Sequence, residues 1–244
     1  MKKVLFAIAM IAVVALSGCT KPEAKIQKRL TMCGDDWDKY AFTYDANGKV
    51  TLVDRNEGER TWTFTWNGNN ATAAYVKEGE AKGDWTFTFG ANGFLTSQAN
   101  EWGDTWGFTY DANGYLTKIE RTDKGTVKAN CVWEGGNLVK WSRMTDDGEQ
   151  WKLQSFLAEE NVAGIFPDAS DKADVPRWMF ELGWCGKPSA FLLDQATWEG
   201  SGAIAVQTYT KDEDGFVTKV EKVYDGGDPE NYFYSWETIN PANK

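Results

Sequence analysis

Trp106-Gly107-Phe108-Thr109-Tyr110-Asp111-Ala112-Asn113-Gly114-Tyr115-Leu116-Thr117-Lys118-Ile119 is the stretch whose reading decides the fold. Trp106, Phe108 and Tyr110 stand at alternate positions, so they share one face of an extended strand while Gly107 and Thr109 share the other. Asp111 suits the first position of a type I turn, where its carboxylate accepts a backbone N–H. Gly114 suits the left-handed position that closes a bulged three-residue loop. A two-residue Asn113-Gly114 turn is the competing register and would flip the faces of the partner strand. Both registers make the stretch a β-hairpin.

Relatives of this hairpin recur along the chain. Tyr44-Asp45-Ala46-Asn47-Gly48, Trp66-Asn67-Gly68-Asn69-Asn70, Phe89-Gly90-Ala91-Asn92-Gly93 and Trp133-Glu134-Gly135-Gly136-Asn137 repeat the turn, and Thr210-Lys211-Asp212-Glu213-Asp214-Gly215 repeats it later. Tyr44, Trp66, Phe89, Tyr110 and Trp133 are 22, 23, 21 and 23 residues apart. A near-constant period of that size marks an array of supersecondary units. Ahead of the turns stand Tyr40/Phe42/Tyr44, Trp62/Phe64/Trp66, Trp85/Phe87/Phe89 and Trp106/Phe108/Tyr110, opposed by Thr43, Thr61, Thr63, Thr65, Thr86, Thr88 and Thr109. One strand face is aromatic and the other is threonine.

The first residues give an address. Lys2 and Lys3 precede an apolar run from Val4 to Leu16, and Leu16-Ser17-Gly18-Cys19 has the form of a bacterial lipobox. Residues 1–18 therefore read as a signal peptide that is removed, with lipid attached to Cys19. A transmembrane anchor is the alternative, but the apolar run is shorter than the roughly 20 residues a spanning helix needs. Residues 19–28 read as a lipidated tether, and Thr20 after the lipidated cysteine suits outer-membrane sorting, on either face. Loss of Lys2 and Lys3 leaves 24 basic against 36 acidic residues. A surface this acidic repels phosphate backbones, so nucleic acid is not an expected partner.

Composition narrows the chemistry further. The chain has no histidine, which removes hydrolysis by serine or cysteine with a histidine base. No nucleophile elbow, phosphate-binding loop, dinucleotide glycine run or zinc spacing occurs, and no cofactor or metal is expected. After lipidation Cys33, Cys131 and Cys185 remain, to be read as buried apolar side chains or as one disulfide and a free thiol. The acidic groups Asp35/Asp36/Asp38, Asp146/Asp147 and Asp212/Glu213/Asp214 sit at turns beside glycine, where aspartate is expected for backbone reasons. A carboxylate-dependent glycosidase would need two of them opposed across a cleft, which sequence does not show.

From residue 29 to the end the pattern predicts one β domain, interrupted at about 157–202 by an irregular insertion containing Pro167, Pro176 and Pro188. So apolar a segment is expected to pack on the sheet. The fold class is all-β: an antiparallel up-and-down meander of about 12–14 short strands, curled or barrel-like, covered by that insertion. A membrane-spanning barrel is the alternative, disfavoured by strands of about seven residues against the 9–11 required.

The lipobox, the repeated aromatic-x-Phe-Thr-Tyr-Asp-Ala-Asn-Gly-x-Leu-Thr units, Gly186-Lys187-Pro188-Ser189 and Asp214-Gly215-Phe216-Val217-Thr218-Lys219-Val220 resemble a family of Bacteroidetes lipoproteins of unknown function. That resemblance implies a porin-like fold and a cell-envelope address, and it implies no catalytic residues. The hairpin is also similar to the tyrosine-aspartate repeats of Rhs-type shell proteins, at hairpin level alone.

Tryptophan is abundant, 13 of 244 residues. Those inside the repeats, Trp62, Trp85 and Trp106, read as core, with a platform for stacking sugar rings as the alternative. Trp178, Trp184, Trp198 and Trp141 fall outside the repeat rhythm and are the candidate ligand-binding residues, since irregular segments carry function most often. The functional expectation is a lipid-anchored envelope protein, not an enzyme, that binds a carbohydrate or other small ligand. A structural lipoprotein binding an envelope protein partner is the first alternative and the glycosidase the second.

Overall fold

The computed structural model describes residues 26–146, 148–166 and 174–239. The signal peptide, Cys19 and tether residues 19–25 lie outside the described residues. Sixteen strands are formed among them: β1 (Lys28–Gly34), β2 (Lys39–Tyr44), β3 (Val50–Arg55), β4 (Arg60–Asn67), β5 (Asn70–Lys77), β6 (Glu80–Phe89), β7 (Leu95–Ala99), β8 (Thr105–Tyr110), β9 (Leu116–Arg121), β10 (Thr126–Glu134), β11 (Asn137–Thr145), β12 (Gly148–Glu160), β13 (Phe191–Trp198), β14 (Ile204–Lys211), β15 (Val217–Tyr224) and β16 (Glu230–Thr238). Each pairs antiparallel with its sequence neighbours, and β1 pairs with β16 to close the barrel.

Sixteen strands exceed the twelve to fourteen expected because links such as Glu78-Gly79 hold only two residues, which leaves both arms of each hairpin long enough to be full strands. The irregular segment also shrinks to 161–190. Residues 157–160 continue β12, and the apolar run Phe191-Leu192-Leu193 opens β13.

The turn chemistry resolves to the bulged loop. Register slips by one residue between Thr109 and Tyr110, and the same slip recurs at Thr43/Tyr44, Thr88/Phe89 and Thr210/Lys211. Asp111 Oδ1 accepts the backbone N–H of Asn113 and of Tyr115, each at 2.9 Å. Asp45 and Asp212 repeat this arrangement. Gly114 takes φ +87°, a conformation only glycine adopts at low cost.

Alternation then sorts the strand faces. Phe42, Trp62, Phe64, Trp85, Phe87, Trp106 and Phe108 are buried inside, while Thr43, Thr63, Thr65, Thr86, Thr88 and Thr109 are exposed outside. An apolar interior and a polar exterior are the reverse of a barrel that faces lipid. That polarity is the stronger argument, since β6, β10, β11 and β12 have 10, 9, 9 and 13 residues and strand length alone would not exclude spanning.

The segment between β12 and β13 folds into the barrel as a plug. It carries the one helix among the described residues, α1 (Arg177–Glu181). Trp178 at its centre is fully buried against Trp62, Phe64, Phe87 and Trp184, with ring centroids 5.5–6.3 Å apart. Such a ring buries roughly 150–250 Å² and contributes about 4–6 kcal/mol before ordering entropy is set against it.

The returning arm of the plug is stitched across three hairpin tips. Leu95 N–H donates to the Trp184 carbonyl at 2.8 Å, Lys187 N–H to Gly114 at 3.1 Å, and Ala190 N–H to Gly136 at 3.0 Å. At Gly186 the approach is so close that a Cβ would lie 3.0 Å from the Tyr110 ring, and φ is +104°. A side chain at position 186 would therefore force Tyr110 to move.

Candidate ligand-binding site

All the repeat turns, the start of β1, the end of β16 and the mouth of the plug segment lie at one end of the barrel, here the turn end. The last aromatic before a turn faces inward at the rim, and six of these residues close it in the same way. Tyr44, Tyr110 and Tyr209 donate their hydroxyls to the carbonyls of Leu30, Leu95 and Leu193, each at 2.6 Å. Trp66, Trp133 and Trp236 donate their indole N–H to Val50, Leu116 and Val217, each at 2.7 Å. In every case the acceptor is on the preceding strand. The repeat therefore ends in Tyr or Trp because both join an apolar body to a polar tip that ties one strand to the next.

Inside this rim lies a cleft of about 1240 Å³. Tyr44, Trp66, Phe89, Trp184 and Trp236 form its aromatic walls. Two cations lie over those walls. The Arg29 guanidinium is 4.3 Å from the Tyr44 ring centre and pairs with Glu237 at 2.6 Å. The Lys49 ammonium is 4.7 Å from the Trp66 ring and donates to the Gly68 carbonyl at 3.0 Å. Lys28 is tied back to Asp212 and Asp214 at 2.7 and 2.5 Å, so it fixes the β14–β15 turn to β1.

A second concavity, beneath the plug, is far smaller. About 50 Å³ is enclosed by Leu116, Cys131, Trp141, Ile165, Phe166 and Phe180 among others. It has room for a few water-sized atoms and none for a sugar ring.

The four candidate tryptophans do not form one site: Trp178 packs on Trp184 with ring centroids 5.5 Å apart, while Trp141 and Trp198 share the Lys152 ammonium. Trp178 is wholly enclosed, with no free face for a ligand. Trp184 is largely buried but lines the turn-end cleft, edge-on to Phe89. Trp141 belongs to the core and lines the small cavity. Trp198 lies across from it, with the Lys152 ammonium 5.9 Å from one ring and 4.6 Å from the other. Cys33, Cys131 and Cys185 are free thiols, and burial pushes Cys131 up to about 12.

The acidic groups serve the turns. Asp35 accepts the N–H of Trp37 and Asp38, Asp38 pairs with Arg55, and Asp214 pairs with Lys28. Asp147 lies outside the described residues. The residues that sequence reasoning missed are Trp66, Phe89, Trp236, Arg29 and Lys49. The signal is present in the sequence: the repeat aromatics read as core, yet the preference for Tyr and Trp over Phe at the last position before the turn points to the half-wet rim of a barrel.

No family model matches the chain, and no curated protein matches it. Among solved structures, the crystal structure of a porin-like protein from Bacteroides uniformis ATCC 8492 is similar at TM-score 0.65 and 17% identity, over 88% of this chain and 99% of that one. The crystal structure of TcdB2-TccC3 matches at TM-score 0.27 and 13% identity, over 82% of this chain and 10% of that one, a likeness too low to weigh. The first likeness shows the fold, an antiparallel barrel of the porin-like kind.

Proposed function

We propose that this chain is a non-catalytic protein of the cell envelope, anchored by lipid at Cys19, that binds a carbohydrate in the turn-end cleft. The observation that carries the reading is the cleft itself: about 1240 Å³ walled by Tyr44, Trp66, Phe89, Trp184 and Trp236. Aromatic faces suit the C–H faces of sugar rings, and Arg29, Lys49 and Glu237 at the edge suit their hydroxyls. The aromatic plug fills the bore, so a transport role through the barrel is not part of the proposal. Lipidation at Cys19 would hold the turn end toward the membrane, because β1 leaves the barrel there. Residues 20–27 extend to about 26–29 Å at most, which leaves the cleft accessible from the side.

The test is a titration of residues 20–244 with a panel of neutral and acidic glycans, followed by tryptophan fluorescence. Saturable change that Trp66→Ala weakens by about tenfold supports the reading. No saturable change across the panel overturns it, and cleavage of any glycan on long incubation would revive the glycosidase.

A structural role is the second reading, favoured by one observation. Val132, Leu153, Ile204 and Val206 are exposed on the outer faces of β10, β12 and β14, whereas β4, β6 and β8 present threonine there. Crosslinking in intact cells through this patch, with a stoichiometric envelope protein recovered and no response to glycans, would favour it.

A further inference from the structure

The far end of the barrel holds a cavity of about 400 Å³, bounded by the β1–β2 turn, the ends of β15 and β16, and the first residue of α1. Arg177 forms its floor. The residue is only 9% exposed, and its guanidinium is held on three sides. One face lies on Tyr232, 3.2 Å from the ring centre, Nε donates to Glu181 Oε1 at 3.1 Å, and Nη2 approaches the Tyr234 hydroxyl at 3.3 Å. Nη1 has no partner among the described residues. Glu181 does not lack donors, since Phe166 N–H and the Tyr234 hydroxyl also reach it, at 3.2 and 3.1 Å. The open donor is therefore on Arg177, which lines the cavity.

A second unmet group lines the same cavity. Asn231 Oδ1 is buried with no hydrogen-bond partner, and as an acceptor it requires a donor. Around it the rim is acidic. Asp35 and Asp36 face the cavity from the turn, while the rim's lysine, Lys222, is matched by Glu230 at 3.3 Å and lies 4.7 Å over the Tyr224 ring. The site thus runs from the Arg177 guanidinium, which already pairs with Glu181, to an acidic rim.

We propose that this cavity is a second, separate binding site for a small amino-carboxylate, a free α-amino acid or a short peptide. Its carboxylate meets the Arg177 guanidinium and its ammonium meets Asn231, Asp35 and Asp36. Guanidinium geometry suits a carboxylate, and the charge gradient selects a zwitterion. A phosphate dianion would be repelled at the rim, and a neutral sugar would leave the gradient unused. Trp37, 85% exposed on the same turn, lines the cavity and would report on its occupancy.

The experiment is calorimetric titration of the purified chain with alanyl-alanine, N-acetylalanine, alaninamide, inorganic phosphate and glucose. The expected result is saturable binding of alanyl-alanine, lost or weakened at least about tenfold when either terminus is capped. Asp36→Asn and Asn231→Ala should weaken it similarly at unchanged melting temperature, because both lie at the rim rather than in the plug core. Arg177→Lys should abolish binding, but the rim variants carry the test if it fails to fold. Trp66→Ala should leave dipeptide affinity unchanged, since that residue belongs to the opposite end. The proposal is overturned by no saturable heat with alanyl-alanine, by equal binding of the capped compounds, phosphate or glucose, or by rim variants that bind as the parent does.

Discussion

Phe89 and Trp184 meet edge to face, with ring centroids 5.0 Å apart. Of the five marker aromatics in the hairpin array, Phe89 is the one without a polar tip, so it cannot close the rim on a neighbouring carbonyl as Tyr44, Trp66, Tyr110 and Trp133 do. The plug supplies the missing tie. Trp184 packs its ring on Phe89 and offers its own carbonyl to Leu95 N–H, at 2.8 Å. The irregular position in the repeat is thus the docking point of the irregular segment.

Two kinds of rim position should respond differently to mutation. Tyr110→Phe removes one hydrogen bond and leaves the packing, at a cost of about 1 kcal/mol. Phe89→Ala opens a cavity beneath Trp184 and should cost about 3–5 kcal/mol. Urea denaturation measures both, and amide exchange at Leu95 should quicken in Phe89→Ala far more than in Tyr110→Phe.

Trp178 should tolerate shape-conserving change better than deletion. Its indole N–H is buried without an acceptor among the described residues, so the ring contributes through packing alone. Trp178→Ala is expected to cost about 3–5 kcal/mol, and Trp178→Phe to recover much of that. Far-UV circular dichroism should keep its β signature in both, while limited proteolysis should cut within 161–190 only in Trp178→Ala.

Gln98 offers a stabilising change. It is 2% exposed on β7, opposite Phe87 and Trp106, and neither amide atom has a partner among the described residues. Replacing an unmet buried amide by an apolar group of similar shape removes the desolvation cost, so Gln98→Leu should raise stability by about 1 kcal/mol. An unchanged or lower urea midpoint would show that the amide is satisfied in solution.

The buried Arg177–Glu181 pair should behave as a unit. Glu181→Gln leaves a guanidinium in the core without its counter-charge, at an expected cost of about 3–5 kcal/mol. Arg177→Met with Glu181→Leu should cost well under the sum of the single changes. A double-mutant cycle in chemical denaturation gives the coupling directly, and additivity would show that the two residues act independently.

Acid should weaken the fold through its turns. The backbone N–H of Tyr115 and then of Asn113 hold Asp111 below the usual 3.8, the N–H of Lys49 does the same for Asp45, and the Arg121 guanidinium does so more strongly for Asp123. These carboxylates bind protons less readily folded than unfolded. Their contribution is complete above about pH 4 and is lost as pH falls through the folded values. Asp111→Asn, measured by thermal melts from pH 6 to pH 2, should melt lower at pH 6 and decline less steeply below pH 4.

By itself the sequence determined the local plan. Alternation in Trp106-Gly107-Phe108-Thr109-Tyr110 set which face turns inward, and Asp111 with Gly114 set the turn, because a period of two and the chemistry of a turn act within a few residues. The repeat of that unit implied a meander that had to curl. Tertiary structure decided the rest: closure through β1 and β16, where Arg29 meets Glu237 across 208 positions of sequence, and the separate fates of Trp178, sealed in the core, and Trp184, at the edge of a cleft. It alone placed Arg177 under Asp35, Asp36 and Asn231. Such meetings depend on how sixteen strands shear and close around a plug, a sum of long-range packing that no local pattern carries.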